Sequence, residues 1–198
     1  MKNTAVILIG FQNDYFSEEG ILTDVVKESL EELDVLNNTM RMLKSLPENV
    51  KVISTPIIFS DDYSELIDPV GILEVIKNVK AFKKGSEGAE TIDELKDMGD
   101  RITHIPGKHG LNAFTGTGLM DFLVENKIDT IVLAGCVCSI CIDSTGRSAF
   151  DQGLDVIMLS DCITGRTMFE QKFYCDEIFP LYSKVINSKE FITSPDEV

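Results

Sequence analysis

The 198-residue chain is poor in basic residues, with 18 lysines and arginines against 33 aspartates and glutamates, and it has only two histidines, His104 and His109. The formal charge of −15 excludes a nucleic-acid surface or an anionic-membrane surface, since either would repel it. No apolar stretch reaches the roughly 18 residues that a spanning helix needs. The opening run Ala5–Ile9 is too short for the apolar core of a signal peptide, and Gly10 and Gln12 keep it from extending further. There is no even set of spaced cysteines either. Five are present, and Cys136, Cys138 and Cys141 crowd into six positions, a pattern unlike a disulfide framework. Free thiols in a reducing, cytoplasmic compartment are the expectation.

With 43% hydrophobic and 26% charged residues the composition is that of a globular domain, and no linker or repeat divides residues 1–198. Val- and Ile-rich runs bounded by Gly, Pro or Asp predict strands over Thr4–Ile9, Lys51–Phe59, Arg101–Ile105, Asp129–Gly135 and Asp155–Leu159. Ser183–Ile186 is a weaker sixth. Helical spacing of apolar residues predicts one long helix over Val25–Leu46 and shorter ones over Leu73–Val79 and Gly118–Glu125. A further helix over Ser139–Gln152 is expected to stop at Gly153. Ser194–Val198 reads as a solvated acidic tail. Such alternation implies a three-layer α/β/α sandwich around a mostly parallel six-stranded sheet. Ligands of such sheets bind beyond the carboxyl ends of the strands, so the residues after Ile9, Phe59, Ile105 and Gly135 are where chemistry is expected.

Three segments stand at those edges. In Gly135-Cys136-Val137-Cys138-Ser139-Ile140-Cys141 a strand ends and a helix begins, which places Cys141 in the first helical turn. Unpaired N–H groups and the positive end of the dipole favour a thiolate there, and the same groups could hold an oxyanion. A small buried thiol with no chemistry is the alternative. Lys108, in Pro106-Gly107-Lys108-His109-Gly110, comes after the third strand, and an ammonium beside a thiol favours the charged sulfur. The third segment, Gly10-Phe11-Gln12-Asn13-Asp14-Tyr15-Phe16, sets polar residues at a strand end, where they face either a site or solvent. Gly10, Phe11, Gln12, Asp14, Phe16 and Phe114 are candidate pocket residues, the three phenylalanines reading equally well as core.

Together these segments resemble the isochorismatase-like cysteine hydrolases, a superfamily that includes nicotinamidases and N-carbamoylsarcosine amidohydrolases. The matching residues are Gln12, Asp14 and Phe16; Lys108 with Asn112-Ala113-Phe114; and Gly135 with Cys141 and Thr145. They occur in the family's order over nearly the whole chain. The resemblance implies that Cys141 attacks an amide-type carbonyl of a small molecule, with Lys108 supporting the thiolate. It implies an oxyanion hole from the backbone around Val137, Cys138 and Cys141, a non-prolyl cis peptide at Cys136–Val137, and a homodimer or tetramer. It also implies a catalytic aspartate at position 10, where this chain has Gly10. Asp14 could supply a carboxylate only if the loop folds back, and Asp61 or Asp62 after the second strand offer another route.

No cofactor is expected. The metal site of some nicotinamidase-like members needs paired histidines after the second strand, and Cys136, Cys138 and Cys141 lack a zinc spacing. Gly10 leaves open a non-catalytic relative that binds a metabolite or partner, and the crowded cysteines leave open a thiol sensor.

Overall fold

The computed structural model describes residues 3–193, so the acidic tail lies outside the described residues. Six strands form one sheet: β1 (Thr4–Ile9), β2 (Lys51–Thr55), β3 (Ile102–His104), β4 (Thr130–Gly135), β5 (Asp155–Ile163) and β6 (Lys184–Ile186). Nine α-helices surround it among the described residues: α1 (Asn13–Phe16), α2 (Thr23–Glu32), α3 (Val35–Ser45), α4 (Ile72–Val79), α5 (Asp93–Lys96), α6 (Leu119–Glu125), α7 (Asp143–Asp151), α8 (Met168–Phe173) and α9 (Ser188–Thr193). The strand order is β3-β2-β1-β4-β5-β6 and every pairing is parallel. The chain builds one half of the sheet outward from β1, then returns to build the other half outward from β4.

Alternation along each strand fills two cores. Ala5, Ile7 and Ile9 share one with Val26 of α2, Ile76 of α4, Leu123 of α6 and Ala149 of α7. Val6 and Leu8 join Met42 and Leu43 of α3, Leu95 of α5 and Phe191 of α9 on the other face. Each buried Val, Leu, Ile or Met side chain among these contributes about 1.5–3 kcal/mol. Both faces are therefore covered, which explains why the strands read as continuous apolar runs.

The structure corrects several boundaries. The second strand ends at Thr55 because Pro56 has no N–H for the ladder; beyond it only isolated bridges remain, Ile57 to Lys108 and Phe59 to Lys83. The fifth strand runs on to Ile163. The single helix expected over Val25–Leu46 is two, because Asp34 adopts a left-handed conformation at φ 53° and redirects the chain. As a result α2 packs on one face of the sheet and α3 on the other. The predicted Ser139–Gln152 helix opens with a π turn, Cys138–Ile142, before α7 begins at Asp143. Gly153, at φ 82°, stands just past its end as expected.

Candidate functional site

The strand order reverses between β1 and β4, and their carboxyl ends, Ile9 and Gly135, are paired neighbours. This is the switch point at which parallel sheets open a crevice. Gly135 is required there: at φ 124°, a Cβ would stand 1.8 Å from the Ile9 carbonyl oxygen. The chain then passes through the Cys136–Val137 peptide, which is cis, into the π turn that carries Cys141.

Cys141 and Lys108 meet at this point. Lys108 Nζ lies 3.4 Å from Cys141 Sγ and donates to the Gly110 carbonyl at 2.6 Å. Lys108 is fully buried and Cys141 is 5% exposed. Two contacts hold the lysine loop in place. The backbone of Lys108 bridges to Ile57 beside β2, and the Ala113 N–H donates to the Thr145 hydroxyl of α7 at 3.0 Å. Phe114, half-buried, packs on the same core as Cys141.

The other expected pocket residues separate from this pair. Phe11 lies in the core on the opposite face and stacks on Phe16, with ring centroids 4.7 Å apart. Its reading as a pocket wall is therefore corrected to core. Gly10, at φ 75°, turns the backbone as it leaves β1. Gln12 is a buried clamp: its amide donates to the carbonyls of Ile57 at 2.8 Å and Ala89 at 2.7 Å and accepts from the Ile57 N–H at 2.8 Å. Asp14 accepts from the Phe82 N–H at 2.6 Å. Asp61 pairs with Lys83 at 3.3 Å and is largely exposed, while Asp62 accepts from the Ser60 hydroxyl at 2.8 Å. None of these carboxylates hydrogen-bonds Cys141 or Lys108. His109, next to Lys108, lies against Phe59 with centroids 5.7 Å apart, and His104 is exposed at the end of β3. Among the described residues no group of three or more His, Cys, Asp or Glu side chains is placed to hold a metal ion.

The oxyanion set is also altered. The Cys138 N–H donates to the Thr164 carbonyl at 2.7 Å and is thereby spent on joining the Cys141 turn to the end of β5. Val137 and Cys141 remain as the backbone candidates.

Two residues near the pair were not assigned from sequence. Tyr15 is buried beside Gly10, and its phenol is pushed up by burial and by the neighbouring Cys136, Cys141 and Asp14. Helix α1 turns Tyr15 inward while Phe16 packs along Phe11, and no pattern in so short a helix announces that. Cys136 is fully enclosed; burial and then Cys141 push its thiol up, against the opposing pull of Lys108.

Fold and site define a parallel α/β protein with a lysine-paired cysteine at the switch point of its sheet. The chain belongs to the isochorismatase family: the Isochorismatase domain model matches residues 4–190. In fold it is similar to a cysteine hydrolase from Pseudomonas syringae pv. phaseolicola 1448A, at a TM-score of 0.82 and 20% identity, covering 96% of this chain and 91% of that one. It is also similar to a nicotinamidase from Bacillus subtilis, at a TM-score of 0.73 and 20% identity, covering 94% of this chain and all of the other (100%). By sequence it is 31% identical over 86 residues to a secreted isochorismatase effector of Verticillium dahliae, 43% of this chain and 44% of that protein. The chain thus matches under half the length of that curated relative.

Proposed function

We propose that the protein hydrolyses an amide-type C–N bond of a small molecule through an acyl-enzyme on Cys141. The observation that carries this reading is the fully buried Lys108, whose Nζ lies 3.4 Å from Cys141 Sγ. A buried cation needs a counter-charge, and its contacts are a neutral carbonyl and this sulfur. The sulfur therefore serves as the anion, poised as a thiolate nucleophile. The thiolate attacks the substrate carbonyl, and the backbone N–H groups of Val137 and Cys141 receive the oxyanion. As the C–N bond breaks, the Lys108 ammonium gives its proton to the leaving nitrogen, and a thioester remains on Cys141. Water then attacks the thioester as the neutral Lys108 amine takes a proton. Collapse releases the carboxylic acid and restores the ion pair. A lysine can hold both proton-transfer duties, as Ser–Lys variants of acyl-transfer sites do.

The nicotinamidase similarity makes small amides, nicotinamide included, the first compounds to try. On any amide that is turned over, Cys141→Ala is expected to lower the rate by about 10³-fold or more. Unchanged turnover in that variant would remove Cys141 from the mechanism.

Gly10 favours a second reading, in which the protein retains the crevice but binds a metabolite or partner without turnover, because no carboxylate replaces the missing one. Small-molecule binding by wild type, with no hydrolysis across the amide panel, would select it. We further propose a homodimer or tetramer in the cytoplasm. Exposed Ile67, Val70, Phe169 and Leu181 support association, and five unpaired cysteines fit a reducing compartment. Among the described residues no helix is long and apolar enough to cross a membrane.

A further inference from the structure

We propose that Gly10 and Cys136 are a matched pair: the Cys136 thiol fills the volume into which a side chain at position 10 would project, so that a thiol and not a carboxylate borders the Cys141–Lys108 pair. Its consequence for chemistry rests on the proposed function, while its steric part stands independently. A Cβ built on Gly10 lies 2.8 Å from Cys136 Sγ, 3.2 Å from the Cys136 carbonyl oxygen and 3.5 Å from Tyr15 Cδ2. Cβ atoms do not approach sulfur at 2.8 Å, so one of the two must give way.

Cys136 has little room to do so. Its thiol donates to the Gly10 carbonyl at 3.4 Å and is enclosed on all sides. The fully buried Thr164 hydroxyl, which has no hydrogen-bond partner, lies beside it. The Cys136 side chain shares a core cluster with Cys141, five residues further along the turn that leaves β4. Burial pushes this thiol up and so keeps it neutral. A carboxylate in this volume would compete for the ammonium and oppose a second negative charge on Cys141. Cys136 is thus a positioning residue. The carboxylate that the family resemblance places at position 10 cannot be restored by changing Gly10 alone. The left-handed φ of 75° adds backbone strain to any such change, whatever stands at position 136.

A double-mutant cycle separates these effects. Gly10→Asp and Gly10→Ala are each made in the wild-type and Cys136→Ala backgrounds, and Tm and the Cys141 alkylation rate at neutral pH are read. Backbone strain is common to both backgrounds, so the steric contact emerges as the difference. The Tm loss caused by either Gly10 substitution is expected to be smaller by about 2–4 °C or more in the Cys136→Ala background. A Gly10 variant that folds only in that background is the extreme form of the same result. In the double variant carrying Gly10→Asp, Cys141 alkylation is expected to slow by about tenfold relative to Cys136→Ala alone, because the new carboxylate disfavours the thiolate. Equal Tm losses in the two backgrounds, or failure to fold in both, would overturn the pairing. An unchanged alkylation rate would overturn the claim that this volume borders the Cys141–Lys108 pair. Neither readout needs a substrate, so a wild type that hydrolyses no amide would sink the proposed function and leave this pairing intact.

Discussion

Lys108→Met is expected to remove most of the proposed amide-hydrolysing activity while leaving the protein as stable as before, or more so. Lys108 is fully buried, and Met has a similar reach without a charge to desolvate. Replacing a buried ion pair by apolar groups of like volume is often neutral, or stabilising by about 1–4 kcal/mol. Here the partner is not stranded as a lone anion, because Cys141 can take up a proton and remain as a neutral thiol. The two proton transfers assigned to Lys108 would be lost, and such a loss typically costs about 10²–10⁴-fold in rate. Turnover and thermal unfolding of the same preparation check both halves. A large fall in Tm would instead show that the bond from Lys108 to the Gly110 carbonyl anchors the loop, and that the lysine is structural.

The largest stability loss is expected at Gln12, a residue that never touches Cys141. Gln12→Leu preserves the approximate volume but strips partners from three buried backbone groups: the N–H and carbonyl of Ile57 and the carbonyl of Ala89. Each unpaired group costs about 1–3 kcal/mol, so a loss of about 3 kcal/mol or more is expected. For a chain of this size that lowers Tm by about 6–12 °C. Thermal unfolding measures it, and a fall of less than about 2 °C would mean that rearrangement or water satisfies those groups. Gln12 joins the exit of β1 to the segment after β2 and to the turn at Glu87–Ala89, so its loss loosens the frame around the Cys141–Lys108 pair.

The contrast between Lys108 and Gln12 shows what the sequence could convey. The strands were legible because parallel strands covered on both faces must be apolar throughout, and Val and Ile runs bounded by Gly, Pro and Asp state that directly. The meeting of Lys108 and Cys141 was legible too, since both come after strands and ligands gather at carboxyl ends. Direction was not legible. The stretch after Ile9 carries the family resemblance, yet the turn at Gly10 sends Phe11 to the opposite core, Gln12 into a backbone clamp and Asp14 to the Phe82 N–H. Spacing names such residues without saying which way they point. The break at Asp34 was hidden because the apolar period continues across it and neither Gly nor Pro marks it. Nothing local to Cys138 reveals that Thr164, 26 positions along the chain, takes its N–H and removes it from an oxyanion hole. The fit of Cys136 over Gly10 is a property of three dimensions alone, joining positions separated by 126 residues.

The central claim is that Lys108 holds Cys141 as a reactive thiolate. The most direct test is the alkylation rate of each of the five cysteines at neutral pH, read by peptide mass spectrometry in wild type and Lys108→Met. Burial and adjacent acidic groups push the thiols of Cys162 and Cys175 up to about 12, so both should stay protonated and slow. Cys175 is the matched control, being 8% exposed against 5% for Cys141, so access does not favour Cys141. Cys141 is expected to react at least about tenfold faster than Cys175, and to lose that advantage in Lys108→Met. A Cys141 that reacts as slowly as Cys175 in wild type, or equally fast with and without Lys108, would contradict the account.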